Sequence, residues 1–348
     1  MPHYTWQLVE KTDTPTILEL YAALPADNNY PAANHYGFIQ PLLTVFFSGH
    51  DYVFAVLSAD ETPVFILPLV RYPCRKFIFR WTEIGFPFHK HVNLCKLPDE
   101  LISRPDLQQA LYTLLNKRFS AWARFAVRDI QAQVPAWEYA GDVAWFDVRQ
   151  GVDQACSKKH LRNVRRLSTK LHENAQNITF QLHRTDVITA LGQFAELELS
   201  SWKGHDGVAI LNNPATQAFY QQLAAEGMRE HMLVAQLWAD ERLIAGAIGF
   251  YLGNTLYIHK ISYADEYAQY APGNLLVLHI LHAAAEQKLE TVNLVTAPLW
   301  AQRWHPELSA LYNWVYYPAN LRGVCLKTAV YGWRKIKPAL KTLLRINA

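Results

Sequence analysis

Thr255-Leu-Tyr-Ile-His-Lys-Ile-Ser-Tyr263 decides the fold, together with the turn Pro272-Gly273-Asn274 and the run Leu275-Leu-Val-Leu-His-Ile-Leu-His-Ala-Ala-Ala285 that follow it. The first segment has the aromatic and β-branched content of a strand. The last segment is strongly apolar and has the length of a helix. The sequence therefore predicts a strand, a loop with a turn, and a helix. Strand alternation predicts two faces, one with Tyr257, His259, Ile261 and Tyr263 and the other with Leu256, Ile258 and Lys260.

The turn before the helix is a candidate anion site. A glycine at the mouth of a helix lets the backbone approach a ligand closely, and the first free N–H groups of the helix attract an anion such as a pyrophosphate. Pro272, Gly273 and Asn274 therefore predict a phosphate cradle. The alternative is that these residues only turn the chain into a buried helix, and the turn alone does not decide between the two.

Length and composition indicate a globular protein. The chain has 348 residues, which suits two domains that are each large enough to fold. Net charge is only +3, so a basic site has to be local, and the whole molecule is not expected to coat a nucleic acid. The first residues lack a basic start followed by an apolar run, and no apolar run reaches the roughly 18 to 20 residues that cross a bilayer. We therefore expect a cytoplasmic protein.

The cysteines and histidines do not form a metal-binding pattern. The cysteines are scattered without a Cys-x-x-Cys pair, and we expect reduced core residues at Cys74, Cys95, Cys156 and Cys325. Two histidine pairs have spacings that would allow two ligands: His89 with His91, and His279 with His282. Neither pair has a carboxylate or thiol nearby at ligand spacing, so the sequence predicts no metal.

Two segments concentrate positive charge. Ser157 to Leu171 predicts a helix with one apolar arc, and its opposite side carries Lys158, Lys159, Arg162, Arg165, Arg166 and Lys170. From Leu308 to Ala348 the chain has no acidic residue, and the pattern predicts a strand followed by a basic amphipathic helix. Such surfaces attract phosphates, an anionic membrane or an RNA backbone. For the first segment, the alternative is a solvated face that only keeps the protein soluble.

Two loops carry side chains that are typical of binding sites. Ser201-Trp-Lys-Gly-His-Asp-Gly207 places an indole, an ammonium, an imidazole and a carboxylate within a few residues. The aromatic loop from Trp300 to Pro306 adds Arg303. An ordinary turn remains the alternative for the first loop.

The order of predicted elements in the second half is helix, helix, three antiparallel strands, strand, loop, helix and strand, which resembles a GNAT-type acyltransferase core. More specific are Ser-Lys-Lys-x-Leu-Arg-Asn-x-Arg-Arg at 157–166, Trp202-Lys203-Gly204, Tyr257-Ile-His-Lys with Tyr263, and Pro272-Gly273-Asn274-Leu275-Leu276. Together they resemble the FemAB-like, CelD-type branch of the GNAT superfamily. The first half, with Val-Phe-Ile-Leu-Pro-Leu at 64–69, also resembles the N-terminal part of that branch.

This resemblance implies an α/β (α+β) fold with a mixed sheet and two tandem GNAT-like acyltransferase domains. The expected units are an N-terminal GNAT-like domain at 1–150, a C-terminal GNAT domain at 151–310, and a basic strand and helix extension at 311–348 that packs on the core. The resemblance also implies an acyl-CoA co-substrate, such as acetyl-CoA, and no tightly bound cofactor. Carried over to this chain, Tyr257 to Tyr263 is the strand beside the donor, and Pro272, Gly273, Asn274 and Leu275 meet its pyrophosphate.

One departure from the branch concerns the acceptor side. The branch commonly shows Gly, then Tyr-Lys and a Trp, after the strand that ends here at Val295, whereas this chain has Ala297-Pro-Leu-Trp300-Ala301-Gln-Arg-Trp304. The lysine is replaced by Ala301, which leaves the acceptor contact at that position open.

Acyl transfer requires removal of a proton from the nucleophile and donation of a proton to the departing thiolate. His259 is the candidate base because an imidazole titrates near neutrality. Tyr263 or Tyr257 is the candidate donor to the sulfur. The acceptor candidates are Trp202, Lys203, Asp206, Lys260, Trp300 and Arg303. For His259 the alternative is a hydrogen-bonded sheet residue.

Three functions follow from these residues. The first is transfer of an acyl group, in the simplest case acetyl, from acyl-CoA to an amine or hydroxyl of a sugar or an envelope or exopolysaccharide precursor. The second is FemAB-like transfer from aminoacyl-tRNA, which ranks lower because no inserted helical arm is visible. The third is a catalytically degenerate module that binds an anionic membrane or nucleic acid. The basic segments leave peripheral binding at the inner face of the membrane open.

Overall fold

The computed structural model describes residues 2–25, 30–76, 79–88, 94–132, 134 and 137–346. Twelve strands of these residues form one mixed sheet: β1 (Tyr4–Glu10), β2 (Tyr52–Ala59), β3 (Thr62–Lys76), β4 (Phe79–Gly85), β5 (Arg124–Gln131), β6 (Glu138–Asp147), β7 (Ile178–His183), β8 (Met232–Ala239), β9 (Arg242–Leu252), β10 (Thr255–Tyr263), β11 (Thr291–Asn293) and β12 (Glu307–Tyr316).

The helices of the described part are α1 (Thr14–Ala22), α2 (Tyr36–Phe46), α3 (Asp99–Ser103), α4 (Pro105–Arg118), α5 (Val152–Ala155), α6 (Lys158–His172), α7 (Val187–Ser200), α8 (Trp202–His205), α9 (Pro214–Gln222), α10 (Pro272–Glu286) and α11 (Leu321–Ile346). Short 3-10 helices lie at Ala32–Asn34, Ile210–Asn212, Asp265–Tyr270 and Leu299–Trp304, and a π-helical turn at Leu223–Gly227 follows α9. Within the described ranges, no helix combines the length and the apolar character that a membrane span requires.

The sheet is built from two similar halves. Its strand order is β1-β2-β3-β4-β5-β12-β6-β11-β10-β9-β8-β7. In each half a run of antiparallel strands, β1 to β4 or β7 to β10, ends in one parallel step, to β5 or to β11. This repeated order confirms the predicted mixed α/β architecture with two similar halves.

The two halves exchange strands at the centre of the sheet. β12, which comes last in the chain, lies between β5 and β6, and β6 also pairs with β11. Each half therefore completes its sheet with a strand from the other. The predicted units 1–150, 151–310 and 311–348 stay a prediction, and the boundary at residue 310 falls within β12.

In the second half, different helices cover the two faces of the sheet. Phe194 of α7 and Phe219 of α9 pack in one buried cluster with Tyr257 of β10. Leu161 of α6 and Leu281 of α10 pack in a second cluster on the opposite side. The face covered by α7 and α9 is called the α7 face below, and the other is called the α10 face.

The predicted alternation along β10 holds through His259 and is wrong from Lys260 onward. A β-bulge lies at His259, because Ile258 pairs with Gly249 while Lys260 pairs with Ile248. One extra residue in a strand moves the following side chains to the opposite faces. As a result Lys260 reaches α7 with Tyr257 and His259, whereas Ile261 and Tyr263 pack with Ile258 against the cluster on the α10 face.

The cysteines are only partly core residues. Cys95 and Cys156 are buried, and burial raises the pKa of each thiol to about 12. Cys74 is half-buried and Cys325 is exposed on α11, so the expectation of four core cysteines is wrong for these two.

Candidate active site

The two strands of the parallel step in the second half separate almost at once. β10 pairs with β11 only from Thr255 to Tyr257. β11 then ends, because the N–H of Val295 donates to the side-chain oxygen of Asn293 over 2.7 Å, and Val295 adopts a left-handed φ of 61°. That conformation is unfavourable for a β-branched residue and turns the chain away from the sheet. In the described structure, the edge of β10 from Ile258 to Tyr263 therefore has no strand partner on this side.

A cleft of about 700 Å³ opens at this edge. It is lined from the α7 face by α8 and α9, and from the α10 face by the turn before α10. The chain that follows β11, from Leu294 to Arg303, lines the remaining side and is called the far wall below. The predicted site residues that line it are Trp202, Lys203, His259, Lys260, Tyr263, Pro272, Gly273, Asn274, Trp300 and Arg303. The cleft thus reaches side chains on both faces of the sheet.

Three predicted site residues do not line the cleft. Tyr257 is buried in the cluster on the α7 face, and burial raises its pKa to about 12. Leu275 is buried in the cluster beneath α10. Asp206 is exposed at the C-terminal end of α8.

His259 is held by aromatic neighbours from both halves of the chain. Its ring contacts Phe38 of α2 and Phe250 of β9 edge-on, with centroids 5.7 and 5.6 Å away. Its Nδ1 lies 3.1 Å from the hydroxyl of Tyr220. Burial, and then the charge of Glu198, raise the pKa of Tyr220 well above its ordinary value, so this hydroxyl is neutral. When Nδ1–H donates to the Tyr220 oxygen, Nε2 carries the lone pair that a base requires.

Glu198, which the sequence analysis missed, anchors the acceptor candidates. Its carboxylate is completely buried at the end of α7 and accepts hydrogen bonds from Lys260 Nζ at 2.7 and 3.0 Å and from Lys203 Nζ at 3.1 Å. The backbone N–H of Ile210 donates to it over 2.9 Å. The signal was present, because Glu198 comes four residues after Phe194 on the buried side of a helix, where an acid needs a partner.

The turn before α10 offers fewer free donors than the sequence suggested. Ala271 has a left-handed φ of 52°, and its carbonyl accepts from the N–H groups of Asn274 and Leu275 over 2.9 and 3.1 Å. Proline has no N–H. Gly273 is therefore the residue of this turn whose N–H has no backbone acceptor in the described structure. Among the residues that the structure describes, no side chain caps this helix, so its positive end faces the cleft.

The side chains of this turn are held in place by their neighbours. Trp304 Nε1 donates to Asn274 Oδ1 over 3.3 Å, so the Asn274 side chain joins α10 to the residue that follows the far wall. A Cβ on Gly273 would lie 3.3 Å from Cδ1 of Tyr263, so the glycine lets the Tyr263 ring pack against the turn. The second contact links the predicted donor turn to a residue of the cleft, and the first links it to the buried Trp304.

Ala301, which stands where the FemAB-like branch commonly has a lysine, belongs to the far wall but does not face the cleft. Ala301 is 1% exposed and faces the core, beside the buried Trp304. Arg303, two residues on, is exposed and lines the cleft with Trp300. A cation is therefore present on this wall, but it comes from a different position.

The histidine pairs and the basic residues of α6 lie away from the cleft or outside the residues that the structure describes. His89 and His91 are outside the described residues, and His279 stacks on Phe180 with centroids 4.9 Å apart. Among the residues that the structure covers, no three His, Cys, Asp or Glu side chains form a potential metal cluster. The predicted cations of α6 are all exposed, and Arg165 pairs with Asp153 at 2.8 Å.

Comparisons with known proteins agree with this architecture. Residues 158–304 match the family model described as an acetyltransferase (GNAT) domain. The crystal structure of FemX is similar over 88% of this chain and 97% of its own, with a TM-score of 0.57 and 11% identity. A conserved protein of unknown function from Bacteroides thetaiotaomicron is similar over 89% of this chain and 99% of its own, with a TM-score of 0.55 and 11% identity. At these identities the similarity shows the fold alone. No curated protein sequence matches the chain.

Proposed function

From the match of residues 158–304 to a GNAT acetyltransferase domain, we propose that this chain is a FemAB-like acyltransferase that takes an acyl group from an acyl-CoA thioester. The acceptor is an amine or hydroxyl of a sugar or an envelope or exopolysaccharide precursor, and acetyl is the simplest acyl group. Both substrates meet in the cleft beside β10. The protein needs no tightly bound cofactor for this chemistry, because the thioester itself is the activated group.

The edge of β10 from Ile258 to Tyr263, which pairs with no strand on this side among the described residues, is the observation that carries the proposal. The amides of a pantetheine arm pair with an open strand edge in the way that an added strand does. The pyrophosphate then lies at the uncapped end of α10, where Gly273 N–H and the helix dipole attract negative charge. The donor thus occupies the α10 face, and the α7 face is left for the acceptor.

The side chains of the cleft supply the proton transfers. His259 takes a proton from the attacking amine or hydroxyl, directly or through one water, as the nucleophile adds to the thioester carbonyl. The carbon–sulfur bond then breaks, and the thiolate receives a proton from Tyr263, whose ring packs on the donor turn. Tyr263 is preferred to Tyr257 for this role because Tyr257 does not line the cleft.

Titration calorimetry tests the donor directly. We expect acetyl-CoA or a longer acyl-CoA to bind with a 1:1 stoichiometry, and free thiol to appear when an acceptor is added. Binding of charged tRNA instead would favour the aminoacyl transferase. Binding of neither donor would favour the degenerate binding module and would contradict the proposal.

We further propose that the exposed basic face of α6 contacts an anionic membrane surface at the inner leaflet. Of its cations, Arg165 already has a carboxylate partner, while Arg162 and Arg166 are exposed side by side along the helix. Clustered cations of this kind are attracted to anionic headgroups within about one Debye length. An RNA surface is the alternative partner for the same charges.

A further inference from the structure

We propose that the acceptor carries a compact anionic group, a carboxylate or a phosphate, which Lys203, Lys260 and Arg303 bind. This inference rests on the proposed function and specifies its acceptor. It arises from an imbalance of charge in the cleft.

Three cations and no carboxylate line the cleft among the described residues. Behind Lys203 and Lys260 lies one carboxylate, Glu198, which both ammonium groups share. One negative charge therefore stands against two positive charges, and Arg303 adds a third positive charge from the opposite wall. The balance leaves two positive charges facing the cleft, which favours an anionic ligand.

The burial of these groups shows which of them a ligand can reach. The Glu198 side chain is 0% exposed, and a backbone N–H also occupies it. Lys203 and Lys260 are 19% and 11% exposed, and both line the cleft. The carboxylate is sealed behind the two ammonium groups, so only the cations meet an entering molecule.

Lys203 is also oriented for a ligand. Its ammonium donates to Glu198 and, over 2.6 Å, to the carbonyl oxygen of Ile261. An ammonium has three N–H donors. The third has no partner in the described structure, and the two fixed bonds hold the group at the open edge of β10.

The position of the lysines separates this site from that of the donor phosphates. Lys203 belongs to α8, and Lys260 reaches α7, so both act on the α7 face. The pyrophosphate site proposed above lies at the N-terminal end of α10, on the other face. An anion held by the lysines therefore belongs to the molecule that enters from the α7 face.

Three acidic or ionisable groups near the cleft do not neutralise its positive charge. Tyr220, over whose ring Lys260 lies, is neutral because its pKa is raised. Asp206 is exposed at the end of α8 and does not line the cleft. In the 3-10 helix Asp265–Tyr270, Glu266 pairs with Arg242.

The test compares matched amines that differ in one charge. Glucosamine 6-phosphate is set against glucosamine for the phosphate, and β-alanine against β-alaninamide for the carboxylate, with acetyl-CoA as donor and thiol release as the signal. We expect the anionic member of at least one pair to have a kcat/KM at least about 10-fold higher. Equal or better use of both neutral members overturns the inference while leaving the proposed acyltransferase intact.

A second measurement distinguishes a failure of the proposed acyl transfer from a failure of the proposed anion site. If no thiol is released with any of the four compounds, calorimetry of the same compounds without donor decides. Tighter binding of an anionic member than of its neutral match supports the site, and equal binding or no binding of all four overturns it.

Variants assign the effect to the cations. Arg303→Met and Lys260→Met should each raise KM for the preferred anionic acceptor at least about 10-fold more than KM for its neutral match. Arg303→Met lies outside the buried cluster, so it keeps the test valid if Lys260→Met does not fold. Lys117→Met, an exposed lysine of α4, is the matched control and should behave as wild type. Equal losses with the anionic and the neutral member overturn the assignment.

Discussion

Gly37 and Gly227 face each other backbone to backbone where the first half of the chain packs on the second. A Cβ on Gly37 would lie 1.7 Å from the carbonyl oxygen of Gly227, and one on Gly227 would lie 2.0 Å from that of Gly37. Gly37 is in α2, and Gly227 ends the π-helical turn after α9. α2 also carries Phe38, which contacts His259. The close approach thus fixes the helix whose Phe38 packs against His259.

Gly37→Ala should lower the free energy of unfolding by about 3 kcal/mol, because the new methyl group forces two backbones apart. Thermal or urea unfolding measures this change. Gly192→Ala, in α7 with open space around it, is the control and should keep or slightly raise stability. An unchanged unfolding midpoint in Gly37→Ala would show that the contact is not tight.

Glu198→Gln should destabilise the protein by about 3–5 kcal/mol, because it leaves Lys203 and Lys260 without their shared carboxylate in a buried position. The control is Glu196→Gln, on the exposed side of the same helix. Denaturant unfolding of the three proteins gives the comparison. Equal stability of the two variants would contradict the role of Glu198 as an anchor.

His259→Ala should lower turnover by about 100-fold or more with little change in acetyl-CoA affinity, since a general base acts on the acceptor. Tyr220→Phe removes the hydroxyl that contacts Nδ1 but keeps the ring, so we expect a smaller loss. Steady-state kinetics and calorimetry separate the two effects. Unchanged turnover in His259→Ala rules this residue out as the base.

Gly273→Ala should weaken acetyl-CoA binding about 10-fold, because a methyl group at this turn presses on the Tyr263 ring and narrows the approach to the end of α10. The dissociation constant from calorimetry is the measurement. Gly49→Ala, which has open space around it, serves as the control. If Gly273→Ala binds acetyl-CoA as tightly as the wild type does, the pyrophosphate does not bind at this turn.

Reversing Arg162 and Arg166 to Glu together should abolish co-flotation with vesicles that contain anionic phospholipid and leave stability unchanged, because both side chains are exposed. Vesicles of neutral lipid provide the baseline. If the double variant floats as well as the wild type, α6 is a solvated surface and not a membrane contact.

Local patterns along the chain were sufficient for much of this fold. The strand at Thr255–Tyr263 and the helix that begins at Pro272 follow from periods that the backbone imposes on each segment separately. The motif at Pro272-Gly273-Asn274 was sufficient to predict a turn and the start of a helix, because these are local features. That this turn lines the cleft follows from the tertiary structure. The resemblance to GNAT acyltransferases rested on such local features and is confirmed.

Contacts between distant segments could not be predicted from these local patterns. The bulge at His259 follows from pairing with β9, and it reversed the faces predicted for Lys260, Ile261 and Tyr263. The place of β12 between β5 and β6 depends on competition among strand edges, which no single segment encodes.

The sequence by itself determined which elements form, the turn at Pro272-Gly273-Asn274 and the basic face of α6, since these depend on neighbours within a few residues. Only the tertiary structure decided that Glu198 serves Lys260, 62 residues later, and Lys203 together. The physical reason is that a buried carboxylate requires partners, while the packing of α7 on β10 selects which cations supply them.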